Sequence, residues 1–246
     1  MKISQEQKTE SRKAIIRAAV DLISEKGFKA STMRGIAKAA GMGEATIYNY
    51  FPTKEAILYG YYQDHMLGCI EALKQVADFH TFSLQEQLQS LFETSLNLYL
   101  PEREFVAQTF GLVFLGGSRE WSRIKPIRET FLSAVNDMLA AAAEAGEVPE
   151  PVFQEFVGQV FTDAYLGTVH YWLSDRSDGF TDTSVLIDRG LDLVCALLKA
   201  GIANKIFDMA IFLLKTHVLT RLDRFVEPLK GTAKMKRRFM EAMHAE

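Results

Sequence analysis

The sequence specifies an all-α chain: a small N-terminal three-helix head bearing a helix-turn-helix, followed by a larger helical body. Three observations carry this. Apolar residues recur at i, i+3, i+4 and i+7 along most of the 246 residues, without sustained period-2 alternation. There are only six prolines. The apolar stripes open at Ser or Thr caps and close at Gly, as helices do.

The first stripe is Ile15, Ala18, Ala19, Leu22 and Ile23, closing at Gly27. Ser31 or Thr32 caps a second, short helix that ends at Ala40 before Gly41, with Ile36, Ala37 and Ala40 on one face. A third helix is predicted over 44–50, ending before Pro52. Thr53 caps a long fourth helix that ends before His80. Ser83 and Glu86 form a capping box for a helix reaching Leu100, where Pro101 breaks the chain. Helices follow over 102–115, closed by Gly116 and Gly117, and over 124–145, closed by Gly146. Pro149 to Pro151 opens a helix reaching Leu173, and 174–183 reads as a polar loop. Helices over 184–200 and 204–226 complete the set, with a basic cluster at 234–238 in a polar tail. The predicted units are a head over 1–54, a body over 55–203 and a C-terminal extension over 204–246.

Composition narrows the class. Hydrophobic residues make up 48% and charged residues 24%, which excludes a mostly disordered chain. No uncharged apolar run reaches the ~18–20 residues of a membrane helix. The polar start has no apolar core of a signal peptide. Two cysteines, Cys69 and Cys195, form no disulfide framework, and both read as buried inert thiols. The expectation is a cytoplasmic protein without a membrane partner. The net charge of −3 divides into +4 over 1–56, −10 over 57–220 and +3 over 221–246. A basic head on an acidic body suits a polyanion partner for the head alone.

Over 31–58 two short helices are joined by Gly41-Met42-Gly43, and a Gly-containing turn of this length sets helices at a steep angle. Gly41 is expected at positive φ, with Ile36, Ala37, Ile47 and Phe51 as the core that fixes the angle. The outward residues Glu44, Ala45, Thr46, Tyr48, Asn49 and Tyr50 are hydrogen-bonding, small or flat aromatic groups suited to phosphates and base edges. The pattern Ala19, Ile23, Gly27-Phe28, then Ser31-Thr32-Met33-Arg34, Ile36-Ala37, Ala40-Gly41 and Thr46-Ile47-Tyr48, Tyr50-Phe51, Lys54-Glu55 resembles the DNA-binding domain of the tetracycline-repressor (TetR) family. The resemblance spans about 10–60.

It implies that Thr32 and Arg34 contact the DNA backbone, with Arg34 also able to reach a guanine edge. Thr46, Tyr50 and Lys54 would hold phosphates, Lys54 touching phosphate only; Ala45 and Tyr48 would meet bases or thymine methyls, and Asn49 a base or a phosphate. Two positions depart from the family pattern. Gly43 replaces a common Ser or Thr cap. Glu44 replaces a common Lys, Arg or Gln, so it either reads a cytosine amino group or faces solvent and the helix dipole; the second reading is preferred.

One recognition helix covers half a site, so the resemblance implies a homodimer on a palindromic or near-palindromic double-stranded operator. Val160, Ala164, Gly167 and Tyr171, with Leu186, Gly190, Leu193 and Leu197, form second apolar faces on two helices and are the expected dimer interface. The effector pocket is expected among Tyr62, Met66, Phe92, Leu96, Tyr99, Phe110, Phe114, Trp121, Phe131, Phe161 and Tyr165. No buried cation stands out in the sequence, so the expected effector is a small, mostly apolar molecule, and Gly111, Gly116 and Gly117 are candidate hinges. Neither metal spacing nor a catalytic triad nor a P-loop is visible; Asp64-His65 reads as a surface pair, and no cofactor is expected. The reading is a ligand-relieved repressor, not an enzyme. The alternatives are an activator or corepressor-dependent regulator, and a helical enzyme or lipid carrier with an incidental helix-turn-helix. The extension packs on the body or widens the dimer, or else lies on a membrane surface.

Overall fold

The computed structural model describes residues 4–115, 121–151 and 154–213, except for the side chain of Trp121. Among them all regular structure is helical: α1 (Gln5–Lys26), α2 (Met33–Ala39), α3 (Glu44–Ile47), α4 (Lys54–Lys74), α5 (Leu84–Tyr99), α6 (Arg103–Phe114), α7 (Trp121–Glu144), α8 (Gln154–Ser174), α9 (Thr181–Lys199) and α10 (Ile202–Leu213). Gly116, Gly117, the expected helical stretch past 213 and the basic cluster at 234–238 lie outside the described residues.

The helix ends follow local chemistry. Ser4 and Gln7 make a capping box for α1, and Gly27 closes it at φ +85°. Thr32 caps α2 by accepting from the Gly35 N–H, and Gly41 turns the chain at φ +70°. Thr53 caps α4. Ser83 and Glu86 form the expected box on α5, and the Ser83 hydrogen bonds hold the Glu86 carboxyl below its usual range.

Among the boundaries that differ from expectation, three have a clear local cause. α3 stops at Ile47, and Tyr48 to Tyr50 form a tighter turn in which the Asn49 and Tyr50 N–H groups reach back three residues to Thr46 and Ile47. Pro52 disfavours helix at Phe51, so the last turn tightens instead of continuing. Pro101 does not break the chain. It sits in a 3₁₀ turn, Leu100–Glu102, at a first-turn position where its missing N–H costs nothing, and joins α5 to α6. The stretch at 174–183 is not wholly loop: a 3₁₀ turn, Asp178–Phe180, runs into α9 at Thr181. Asp175 organises it, accepting from Ser177 and Thr183 through both backbone and hydroxyl donors.

The first stripe of α1 packs as its spacing predicts, with Ile15, Ala19 and Ile23 fully buried and Leu22 half-buried beside them. Ile36, Ala37, Ile47 and Phe51 are buried and set the α2–α3 angle. α4 leaves the head and enters the body, burying Tyr62, Met66, Cys69 and Leu73 against α5 and α7. Two polar ties hold α1 to the body. Arg12 pairs with Asp64 on α4, and Gln108 on α6 donates to the Ser24 carbonyl at 3.4 Å. Gly60 permits this closeness, since a Cβ there would stand 2.8 Å from the Phe51 ring and 3.0 Å from the Arg12 guanidinium.

His65 is a correction. It is not a surface partner of Asp64 but turns inward, where Nε2 meets the Ser95 hydroxyl at 2.8 Å and the ring stacks on Tyr99. Adjacent helix positions point about 100° apart, so Asp64 reaches Arg12 while its neighbour enters the core. Burial pulls the His65 pKa down to about 3. Cys69 and Cys195 are buried thiols, raised by burial to about 12 and about 11.

Candidate nucleic-acid interface and buried centre

The angle between α2 and α3 presents one polar surface. Thr32, Arg34, Glu44, Ala45, Thr46, Tyr48 and Asn49 are exposed there, while Tyr50 and Lys54 are half-buried at its edge. Tyr48 is 47% exposed, so its ring is accessible on this surface. Gly43 gives α3 no side-chain cap, leaving backbone N–H groups at its start unpaired within the helix.

Two side chains make contacts beyond the sequence reading. Lys54 is not a purely outward cation. Its ammonium donates to the Phe28 carbonyl and, at 2.7 Å, to the Ser31 carbonyl, and it lies 4.0 Å from the centre of the Phe28 ring. Desolvation lowers its pKa, with Glu55 acting in the opposite sense. Of three ammonium hydrogens, one remains for a phosphate. Glu44 faces solvent, as the preferred reading expects, but not alone: its Oε2 stands 3.6 Å from Arg34 Nε, bridging α3 to α2.

Beneath the head, Met66, Tyr99, Phe110, Phe114, Phe131 and Tyr165 come together with Ile127, Arg128, Thr162 and Leu166 around a narrow cleft of about 10 Å³, room for about one water. Tyr62 joins them through edge contacts with Phe110 and Phe114 and a 2.8 Å hydrogen bond to Thr109. Phe92 backs the cluster against Phe131 and Tyr165. Tyr165 also meets the Ser95 hydroxyl, and burial raises the phenol pKa of Tyr62, Tyr99 and Tyr165.

Two of the expected lining residues lie elsewhere. Leu96 faces a separate surface depression of about 290 Å³ beside Trp172 and Phe180. Phe161, one turn before Tyr165 on α8, instead borders the groove between α8 and α9. Both belong to apolar stripes, and a stripe says that a residue is buried without saying against which neighbour. The side chain of Trp121 lies outside the described residues.

The expectation of no buried cation is also corrected. Arg128 lines the cleft with its side chain 11% exposed and donates to Asp163 at 2.7 Å. Its position between Ile124 and Phe131, at helical spacing, was the available signal.

All eight residues of the expected dimer face are exposed on the isolated chain. Val160, Ala164, Gly167, Leu186 and Gly190 line an apolar groove between α8 and α9, in which a Cβ at Gly167 or Gly190 would meet nothing within 4 Å. The surface runs on past Val160 and Leu197 to α10, where Ile206, Met209 and Phe212 are exposed. Among the described residues no group of His, Cys, Asp and Glu is placed to hold a metal, and no helix is long and apolar enough to cross a membrane.

Comparison with known proteins gives matches over both the head and the body. Residues 15–59 match the family described as bacterial regulatory proteins, tetR family, and residues 87–213 match the tetracyclin repressor-like C-terminal domain. The fatty acid metabolism regulator protein of Bacillus subtilis is 27% identical over 191 residues, which is 78% of this chain and 95% of that protein. The transcriptional repressor KstR of Mycobacterium tuberculosis is 26% identical, covering 78% of this chain and 84% of that protein. The structure of B. subtilis FadR in complex with stearoyl-CoA superposes with a TM-score of 0.60 at 26% identity, covering 77% of this chain and 98% of that one. Thermus thermophilus FadR in complex with lauroyl-CoA gives 0.58 at 24% identity, covering 73% and 92%.

Proposed function

This chain belongs to the TetR family of bacterial transcriptional regulators, and we propose that it is a cytoplasmic homodimeric repressor released from a palindromic operator by a fatty acyl-CoA. In this reading residues 1–54 bind DNA and the body over 55–203 binds the effector and the second subunit. The extension starts with α10, which begins at Ile202 and straddles the boundary placed at 203. Thr32, Arg34, Ala45, Thr46, Tyr48, Asn49, Tyr50 and Lys54 face the DNA. The apolar groove of α8 and α9 meets its two-fold equivalent, spacing two recognition helices one turn of duplex apart.

The observation that carries the effector reading is the aromatic centre packed around a cleft of about 10 Å³ with Arg128 in its wall. Apolar rings suit an acyl chain. Arg128, in the wall of the centre, suits a phosphate-bearing head group. A dodecyl chain needs far more room than one water, so it enters only if Phe110, Phe114 and Phe131 separate. The effector therefore favours an opened state, which is the differential affinity any ligand-driven shift requires.

The test uses the full chain. Light scattering reads its assembly, duplexes are selected from a random pool, and fluorescence anisotropy follows release by lauroyl-CoA, stearoyl-CoA and coenzyme A alone. The expected result is a dimer, a palindromic site and release by the thioesters only. Release by coenzyme A alone, or none by either thioester, overturns the effector reading. A tighter complex with thioester turns the repressor into a corepressor-dependent regulator.

A further inference from the structure

The exposed pair Arg34–Glu44 is an odd feature of a DNA-facing surface. A carboxylate at the start of α3 repels phosphate, and a surface ion pair contributes little to stability. Its geometry suggests another use. Glu44 lies on the Nε edge of the guanidinium, 3.6 Å away, and the Arg34 side chain is 83% exposed. The pair spans the Gly41–Gly43 turn and so ties the side chain of α2 to the helix that enters the groove.

We propose that Glu44 is a positioning residue that holds Arg34 by its Nε edge, so that the two terminal nitrogens read O6 and N7 of one guanine instead of a phosphate. This rests on the DNA-binding reading of the head. A guanidinium offers two usable edges, and occupying one orients the other. The outward fork of Nη1 and Nη2 matches the paired acceptors that only guanine presents in the major groove. The neighbouring carboxylate lowers the attraction of the pair for a phosphate, because its charge offsets that of the guanidinium, whereas a guanine edge is neutral and does not oppose the carboxylate. Glu44 thus makes Arg34 selective at the expense of non-specific affinity, and the unusual residue at this position acts through its neighbour without touching a base itself.

The experiment takes the full-length wild type, Arg34→Ala, Glu44→Gln and the double variant. Duplexes selected from a random pool by the wild type are compared with scrambled ones in anisotropy titrations at several salt concentrations. Each guanine of the selected site is also replaced in turn by 7-deazaguanine. All the substituted side chains are solvent-exposed, and thermal melts check that folding is unchanged. For Arg34→Ala the expected loss is about tenfold to a hundredfold on the selected duplex, with the salt slope unchanged. One 7-deazaguanine position should cost the wild type but not this variant. Glu44→Gln should lose preference at that same position, and the double variant should be no worse than Arg34→Ala. The proposal is overturned if Glu44→Gln tightens binding equally on selected and scrambled duplexes, which would make Glu44 a phosphate repellent only. It is also overturned if Arg34→Ala flattens the salt slope by about 0.9, the mark of a phosphate contact. A wild type that selects no DNA removes the DNA-binding reading, and this inference with it.

Discussion

Replacing Lys54 by Ala separates two roles that one ammonium combines. In the fold the group seats on the carbonyls of Phe28 and Ser31 and covers the Phe28 ring, tying the start of α4 to the segment between α1 and α2. Hydrogen bonds to a charged group contribute about 1.5–3 kcal/mol when well buried, and a cation over an exposed ring about 0.5–1 kcal/mol. Lys54 is only half-buried, and water replaces part of what is lost, so the sum must be discounted. A net loss of about 1–2 kcal/mol remains, which lowers Tm by about 2–8 °C for a chain of this size. Binding should weaken about equally on cognate and scrambled duplexes, with the salt slope reduced by up to about 0.9. Differential scanning fluorimetry reads the first effect and anisotropy at several salt concentrations the second. An unchanged Tm with a full 0.9 loss of slope would refute the seat on the carbonyls and leave Lys54 a phosphate ligand only.

Tyr48→Ala should cost about 1–3 kcal/mol on the selected operator and much less on scrambled DNA; equal losses in anisotropy would remove the ring from base reading. Gly158→Ala should destabilise by about 1–3 kcal/mol, because its Cβ would stand 2.7 Å from the Leu132 side chain and press on Asn136; a melting curve matching the wild type would show that α7 and α8 part without cost. His65 should make the fold acid-sensitive. Its folded pKa of about 3 lies below the ordinary 6.5, so the unfolded chain binds the extra proton and stability falls as pH drops from 6.5 towards 3, by at most about 1.4 kcal/mol per pH unit. His65→Gln should flatten that part of a Tm-against-pH curve, and an unchanged curve would place the ring in solvent. Asp175 acts at lower pH. Hydrogen bonds from Thr183 and Ser177 depress its pKa below the ordinary 3.8, so the stability it supplies is present above that value and lost as pH falls below it. Asp175→Asn should lower Tm at neutral pH and remove the steep fall below about pH 4; a variant retaining that fall would assign it to other carboxylates.

What the sequence reveals depends on how local the cause is. The caps at Thr32, Thr53 and Ser83 and the turn glycines Gly27 and Gly41 act within a few residues, so their roles are legible in the sequence alone. So are the buried positions of the head, because an apolar stripe with one partner surface leaves one reading. The body is less legible. Leu96 and Phe161 share their stripes with residues of the aromatic centre, yet they face other surfaces, since helix packing decides which of several buried directions a side chain takes. Polar groups mislead in the other direction. Arg128 and His65 read as surface residues by type, and only tertiary partners, Asp163 for the first and Ser95 with Tyr99 for the second, make their burial tolerable. Lys54 fits the family pattern for a phosphate ligand, but a pattern of residue types does not disclose that two backbone carbonyls lie within reach.

The placement of the two polar ties bears on how an effector in the centre would reach the head. α4 carries Tyr62 and Met66 at the aromatic cluster and, between them on another face, Asp64 paired with Arg12 of α1. α6 repeats the arrangement, with Phe110 and Phe114 at the cluster and Gln108 on the Ser24 carbonyl of α1. Both helices that border the aromatic centre therefore hold the same head helix, through polar contacts on their far sides. A close-packed interior does not absorb a wedge by uniform compression. If the centre opens, α4 and α6 move as rigid pieces, and α1 must either follow one of them or lose a tie to the other. An α1 that follows either helix carries the head with it, because α2 packs on α1 and α3 packs on α2. In a dimer the half-site spacing is fixed by the duplex, so even a small rotation, opposite in the two subunits, is enough to take both recognition helices out of register.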